Sequence, residues 1–553
     1  MTKKIVSLVL AITMMATTLA GCGNGSTTTS GTGSATQSGT TAPASKALSV
    51  SLGAEPATMD PALNQAADVT TILQHLFEGL TRYSPEKKIE KGQAKDIKVS
   101  SDRKVYTITL RDDIKWSDGK PVTADDFVYA WQRVVDPKTA SQYAYIFDPV
   151  LNANEIMAGK MDKTKLGVKT VNEKTLEVTL RNPCAYFEEL LSFTAFYPVR
   201  KDIVESNPKW TQDPKTYISN GAFTMTNWTH KESLSMAKNP NYYEKDKIKL
   251  DSLKFVLMED DGARLAAYQN GEISFAYAIP VEEVDAWKDK PDFHKVSELS
   301  TNYINFNIQK KPFDDVRVRK ALSLAIDRNY LVTKVTKQNQ ITAGAFVPVG
   351  VIDVDSTKQF RDVGGDFFST KAEDYEKNVT EAKKLLAEAG YPEGKGFPSF
   401  EYATNVGSSN IATAEALQNM WKTALGINCT ISQQEWAVFI DARNKGNFQV
   451  ARGGFGCDFN DAVSMLDLFV TGGGNNDPKY TNPEYDQLIA QVKATDDNKV
   501  RMPLMHKAEE ILMRDMPISP LFYRARAFLM NSNVKGYYNS PLGFDFFMYA
   551  SID

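Results

Sequence analysis

The sequence is poor in the residues that build metal and redox centres. Its four histidines, at 75, 230, 294 and 506, stand too far apart for metal-ligand spacing. Four cysteines in 553 residues, one of them at position 22 close to the N-terminus, make no disulfide framework. No P-loop, nucleophile elbow or dinucleotide fingerprint occurs, so nothing calls for a metal or any other cofactor. After residue 20 no apolar run is long enough to span a bilayer. Basic charge is not in excess either: 64 Lys and Arg against 68 Asp and Glu give −4. Losing Lys3 and Lys4 with the leader brings this to −6 (−4 − 2). Such a mildly acidic body gives no basis for nucleic-acid binding.

What is present begins with a leader. Lys3 and Lys4 precede an apolar run from Ile5 to Ala20, and Leu19-Ala20-Gly21-Cys22 resembles the box at which bacterial lipoprotein signals are cut. Residues 1–21 therefore read as a signal peptide and Cys22 as a lipidated N-terminus. Residues 22–46, almost all Gly, Ser, Thr and Ala, cannot bury enough surface to offset their ordering entropy and read as a flexible tether. The expected location is the extracytoplasmic face of a bacterial membrane, lipid-anchored through Cys22.

The body that follows mixes strand and helix patterns. Ala47–Leu52 and Val105–Leu110 alternate as strands, and so does the run Asn302 to Ile308. Val69 to Leu80 has helical apolar spacing. Thr123 and Asp126 form a helix-capping pair ahead of Phe127, Ala130, Trp131 and Val134 at i, i+3, i+4, i+7. The spacing predicts one helix over 315–337 and another over 378–389, the latter capped by Asn378 and stopped by Gly390.

One stretch carries more chemistry than the rest. Phe448 and Val450 start a strand that runs into Arg452, Gly453, Gly454, Phe455, Gly456 and Asp458. A cation and an anion thus flank main chain left bare by glycine, where another backbone or a ligand can come close. An extended zwitterion needs those features: charges for its ends, main-chain groups for its middle, rings for its side chains. A plain strand ending in a glycine-rich turn, with both charges solvated, fits the same residues.

Whole blocks of the body resemble the oligopeptide-binding proteins of bacterial ABC importers, extracellular solute-binding family 5. They include Leu110-Arg-Asp-Asp-Ile-Lys-Trp-Ser-Asp-Gly119, Trp131-Gln-Arg-Val-Val-Asp-Pro137, Pro312-Phe-Asp-Asp-Val-Arg-Val-Arg319 and Glu381-Ala-Lys-Lys-Leu-Leu-Ala-Glu-Ala-Gly390. The resemblance implies an α/β, two-lobed periplasmic-binding-protein-like fold of type II, with an additional third domain and two crossing hinge strands. It implies lobe 1 at 47–85, 200–299 and 525–553, the extra domain at 86–199, lobe 2 at 300–524, and a hinge around 298–305. It implies a non-catalytic monomer that captures short peptides between the lobes and passes them to the membrane permease subunits of an importer.

Carried over residue by residue, the ammonium-binding Asp is Asp458 and a carboxylate-binding Arg is Arg452. Trp436 lines a side-chain pocket, Phe455 stands where relatives carry Trp, and Gly454 belongs to the main-chain contact. Asn410 stands where a relative places a His for the carboxylate of longer peptides, and it carries no charge. Gly456 and Ser300 occupy the positions of a disulfide in relatives, with Cys457 next door. Two alternatives stay open: the same fold holding a nickel complex, an oligosaccharide or a signalling peptide, and a hydrolase using Asp458 and Asp461 as a carboxylate pair.

Overall fold

The computed structural model describes residues 46–355 and 357–553. The signal box, Cys22 and the tether through residue 45 lie outside the described residues. Eleven strands join in one mixed sheet whose middle is a pair of unusually long strands, Phe293–Phe306 and Ile518–Met530. Fourteen residues at about 3.3 Å each reach about 46 Å, enough to pass from one lobe into the other. On one flank lie Ala47–Leu52, Ser252–Leu257, Ser233–Lys238, Phe223–Thr229 and the short Phe275–Ala276. On the other lie Val450–Gly456, Phe400–Asn405 and Cys429–Gln434. The chain thus has the two-lobed α/β architecture with two crossing strands.

The crossing strands pair antiparallel, with a break in register. Ser297 faces Ala525 and Thr301 faces Tyr523, so three residues of one strand oppose the single residue Arg524 of the other. A second shift follows close by, where Asn302 faces Phe522 and Tyr303 faces Pro520, so Leu521 is unopposed and the ladder is irregular at two neighbouring levels.

Each flank has its own apolar packing. Ile304, Phe306, Phe313, Leu322, Phe400 and Trp421 are buried together on the lobe 2 side, and the Trp421 indole N–H donates to the Leu322 carbonyl at 2.9 Å. A separate four-stranded sheet of Ala94–Val99, Val105–Leu110, Thr175–Thr179 and Val168–Asn172 forms the third domain. Helix Ala124–Val135 belongs to it, and Asp126 accepts from the Thr123 N–H at 2.9 Å in the predicted capping box. Phe127, Ala130, Trp131 and Val134 are all buried, as their helical spacing requires.

Two helix expectations need correction. The run 315–337 is not one helix: Val316–Leu324 ends at Ala325, and Asp327 then caps a new short turn by accepting from the Tyr330 N–H. A local capping carboxylate here outcompetes continuous apolar spacing. The later helix runs Tyr375–Glu388, so Asn378 lies inside it, and its amide donates to the Ser369 carbonyl instead of capping.

Candidate functional site

The glycine-rich stretch is strand throughout: Val450–Gly456 pairs antiparallel with Phe293–Phe306 from Val450↔Phe306 to Gly456↔Ser300. Its other neighbour, Phe400–Asn405, pairs with it only at Val450 and Ala451. From Gly453 to Gly456 that edge therefore has no strand partner among the described residues. The Cys457 N–H donates to the Leu299 carbonyl at 2.7 Å, which fixes the alternation of the ladder. Residues 453 and 455 turn their main-chain groups toward the crossing strand, while Gly454 and Gly456 turn theirs to the open edge.

Glycine is required there by its neighbours. A Cβ at Gly453 would lie 2.6 Å from Cδ2 of Tyr303, and one at Gly454 would lie 2.8 Å from Oδ1 of Asn302. That Asn302 oxygen is buried with no hydrogen-bond partner. An open edge with an unpaired acceptor beside it suits an incoming strand that brings N–H donors.

Asp458 stands at one end of the edge. Its main-chain N–H donates to Ser464 Oγ at 2.8 Å, and the Tyr145 phenol, from the third domain, donates to its Oδ2 at 2.7 Å. Burial pushes the carboxyl up to about 7, and the Tyr145 and Tyr143 hydrogen bonds only partly oppose that. No cation is among the groups that shift it. A desolvated carboxylate without a counter-ion is a site prepared for one.

Arg452 marks the other end. Its Nη1 donates to Oδ1 of Asn405 at 3.1 Å, and its Nη2 lies 3.7 Å from the place of a Cβ on Gly454. Burial lowers its pKa to about 10, with the like charge of Arg524 as the next cause. From Gly454 to Asp458 is at most about 13 Å of extended chain, and three extended peptide residues cover about 10–11 Å.

The remaining predicted residues are spread over the neighbourhood, Asn410 toward the Arg452 end of the strand and Phe455 toward the Asp458 end. Asn410, on helix Ser408–Leu425, has its amide 3.5 Å from the Val406 carbonyl, one residue beyond Asn405. Trp436 opens helix Trp436–Asn444 and is 54% exposed, which leaves its indole face available to a ligand side chain. Phe455 is half-buried, and its carbonyl accepts from Ser300 Oγ at 2.9 Å. Ser300 faces Gly456 directly, where the resemblance implies a cystine in relatives. Cys184, Cys429 and Cys457 are buried free thiols.

Asp461 does not join Asp458 in a carboxylate pair. Its oxygens are 2.7 and 3.0 Å from the two terminal nitrogens of the buried Arg501. That bidentate pair leaves no room for general-acid chemistry at Asp461. Sequence reasoning missed Tyr143, Tyr145 and Ser464, which surround Asp458, and Asn405, which holds Arg452. Tyr145 is 313 residues from Asp458, so no local spacing could connect them.

The sequence pattern of the bacterial extracellular solute-binding proteins, family 5 (middle region), matches residues 88–477. The oligopeptide-binding protein OppA of Bacillus subtilis is 35% identical over 538 residues, covering 96% of each chain. The structure of Haemophilus influenzae OppA in complex with the peptide RPPGFSPFR superposes with a TM-score of 0.82 at 31% identity, covering 92% of this chain and 99% of that one. The murein tripeptide-binding protein MppA of Escherichia coli gives 0.83 at 33% identity, again over 92% and 99%. An unliganded open form of MppA gives only 0.71 at the same identity, over 92% and 98%. The lobes here are thus arranged more as in the peptide complex than as in the open form.

Proposed function

The chain belongs to family 5 of the bacterial extracellular solute-binding proteins, and from that premise we propose that it captures short peptides in extended form and delivers them to an ABC importer. One observation carries the reading: among the described residues, an unpaired strand edge at Gly454 and Gly456 lies between a carboxylate and a guanidinium with no ionic partner of their own. The peptide adds as a strand, its ammonium meets Asp458 and Tyr145, and its carboxylate meets Arg452. Gly454 supplies main-chain groups, and Trp436 and Phe455 offer rings to the side chains. Asn410 gives longer peptides a neutral amide in place of a cation. The role is binding without catalysis, as a monomer that docks on the permease subunits.

Closure supplies the capture. Tyr145 reaches Asp458 from the third domain, so the ammonium site is complete only with the lobes together. We place lobe 1 at 47–85, 200–299 and 525–553, the extra domain at 86–199 and lobe 2 at 300–524. The register break at 297–301 against 523–525 supports a hinge at those crossings.

A tripeptide that binds the folded state alone stabilises it by about 2.7 kcal/mol at a hundredfold excess over its dissociation constant. Trialanine is expected to raise the thermal midpoint, and its C-terminal amide is expected to do so much less. A midpoint that moves with a sugar or a nickel chelate and not with any peptide of two to six residues contradicts the substrate class.

The proposed location is the extracytoplasmic face of the cell membrane, with the lipid on Cys22. No helix among the described residues is long and apolar enough to cross a membrane. Cys22→Ser is expected to release a folded protein of unchanged peptide affinity into the soluble fraction. Retention of that variant in the membrane fraction after signal cleavage argues against the anchor.

A further inference from the structure

Arg524 stands out on the second crossing strand. It is the exposed residue in an otherwise buried run from Ile518 to Leu529. It sits at the register break, opposite Glu298, Leu299 and Ser300. Alternation decides which way it faces. Arg452, Gly454 and Gly456 pair with Ile304, Asn302 and Ser300, and Phe522 pairs with Asn302, so these residues share one face of the sheet. Two residues beyond Phe522, Arg524 lies on that same face, at the level of Gly456.

Its charge is not satisfied by the protein. The nearest carboxylate is Glu298, whose Oε2 is 3.6 Å from Arg524 Nη2, an ion contact too long for a good hydrogen bond. Glu298 is shared: its Oε1 lies 3.7 Å from Arg526, which also holds Asp545 with one nitrogen 2.8 and 3.0 Å from its two oxygens. With Asp458 reserved for the ligand ammonium, the three guanidiniums Arg452, Arg524 and Arg526 are set against two carboxylates, Glu298 and Asp545. The carboxylate of a bound tripeptide answers Arg452 and leaves the donors of Arg524 unspent. Glu298 does not suit a basic ligand side chain, because two guanidiniums already flank it.

Resting on the peptide reading above, we infer that Arg524 is a specificity-determining residue that selects peptides with an acidic side chain at the first or second position. The position follows from the level of Gly456, next to the ammonium end at Asp458. A ligand carboxylate there gains the directed, charge-assisted hydrogen bonds that Glu298 does not make. Arg526 stays with Asp545 and Glu298, so the pair behind the site is not broken.

The test is calorimetric titration of tripeptide pairs that differ only as Glu against Gln: Glu-Ala-Ala with Gln-Ala-Ala, and Ala-Glu-Ala with Ala-Gln-Ala. Wild type is expected to favour Glu by about tenfold in one of the pairs, the worth of one hydrogen bond to a charged group. In Arg524→Gln that ratio falls below about twofold, while Arg524→Lys, which keeps the charge without the fork, gives an intermediate ratio. A wild-type ratio near one in both pairs overturns the inference, as does a ratio that survives Arg524→Gln. In those cases the Gln peptides still bind and the peptide function stands. Failure of every tripeptide, Gln forms included, rejects the peptide function itself and this inference with it.

Discussion

Asp458→Asn is expected to weaken free-amine tripeptides by about thirtyfold or more. Closing the lobes takes a full ammonium charge out of water, and removing one partner of a buried charge pair costs about 2–5 kcal/mol. Asparagine keeps the shape and the capacity to accept from Tyr145, so the loss reports the charge. The same group sets a pH dependence. With the lobes together and no ligand bound, its carboxyl is pushed up to about 7, far above the ordinary 3.8. A raised carboxylate favours the protonated form, so Asp458 costs the closed, ligand-free arrangement stability increasingly as pH rises from about 4 to about 7. Peptide binding needs the ionised form. Affinity should therefore fall as pH drops below about 7, by up to about tenfold per unit. Asp458→Asn should remove this dependence and favour the closed, ligand-free arrangement at neutral pH. Calorimetric titrations from pH 5.5 to 8 check both, and a wild-type affinity flat across that range contradicts the assignment.

Asp461→Ala is expected to act on the fold and not on the ligand. Arg501 is 1% exposed, and Asp461 is its bidentate partner and also accepts from the Val463 N–H. Truncating that carboxylate strands a buried guanidinium, which costs about 3–5 kcal/mol. The pair ties helix Asn498–Asp515 to the loop bearing Asp458. Urea unfolding followed by fluorescence should show the loss as a lower midpoint. Below that midpoint, tripeptide affinity should stay within a few-fold of wild type. A thirtyfold affinity loss with the midpoint unchanged points instead to Asp461 as the ammonium ligand.

These two carboxylates show what was legible in the sequence. Arg452, three glycines and Asp458 could be read as a charged, bare strand because the features are consecutive. The sequence left strand and turn open for the glycines; the structure answers strand, because Tyr303 packs where a side chain at Gly453 would go. Asp461 could not be separated from Asp458 by spacing. Its partner Arg501 is 40 residues away, and only the fold brings them together. Tyr145 and Arg524 were hidden for related reasons. A phenol between Ala144 and Ile146 looks like core, and one arginine in an apolar strand gives no sign of which face it takes. The broken helix over 315–337 is a local failure, where apolar spacing continued past the cap at Asp327.

A crystal structure of the complex with trialanine decides where the peptide lies. The expected result is an extended peptide whose main chain pairs with Gly454 and Gly456. Its ammonium should lie about 3 Å from Asp458 and Tyr145, and its carboxylate about 3 Å from Arg452. Compared with the empty protein, the lobes should differ by rotation at 297–301 and 523–525. A peptide bound away from that strand edge, or with its ammonium held by a group other than Asp458, contradicts this placement.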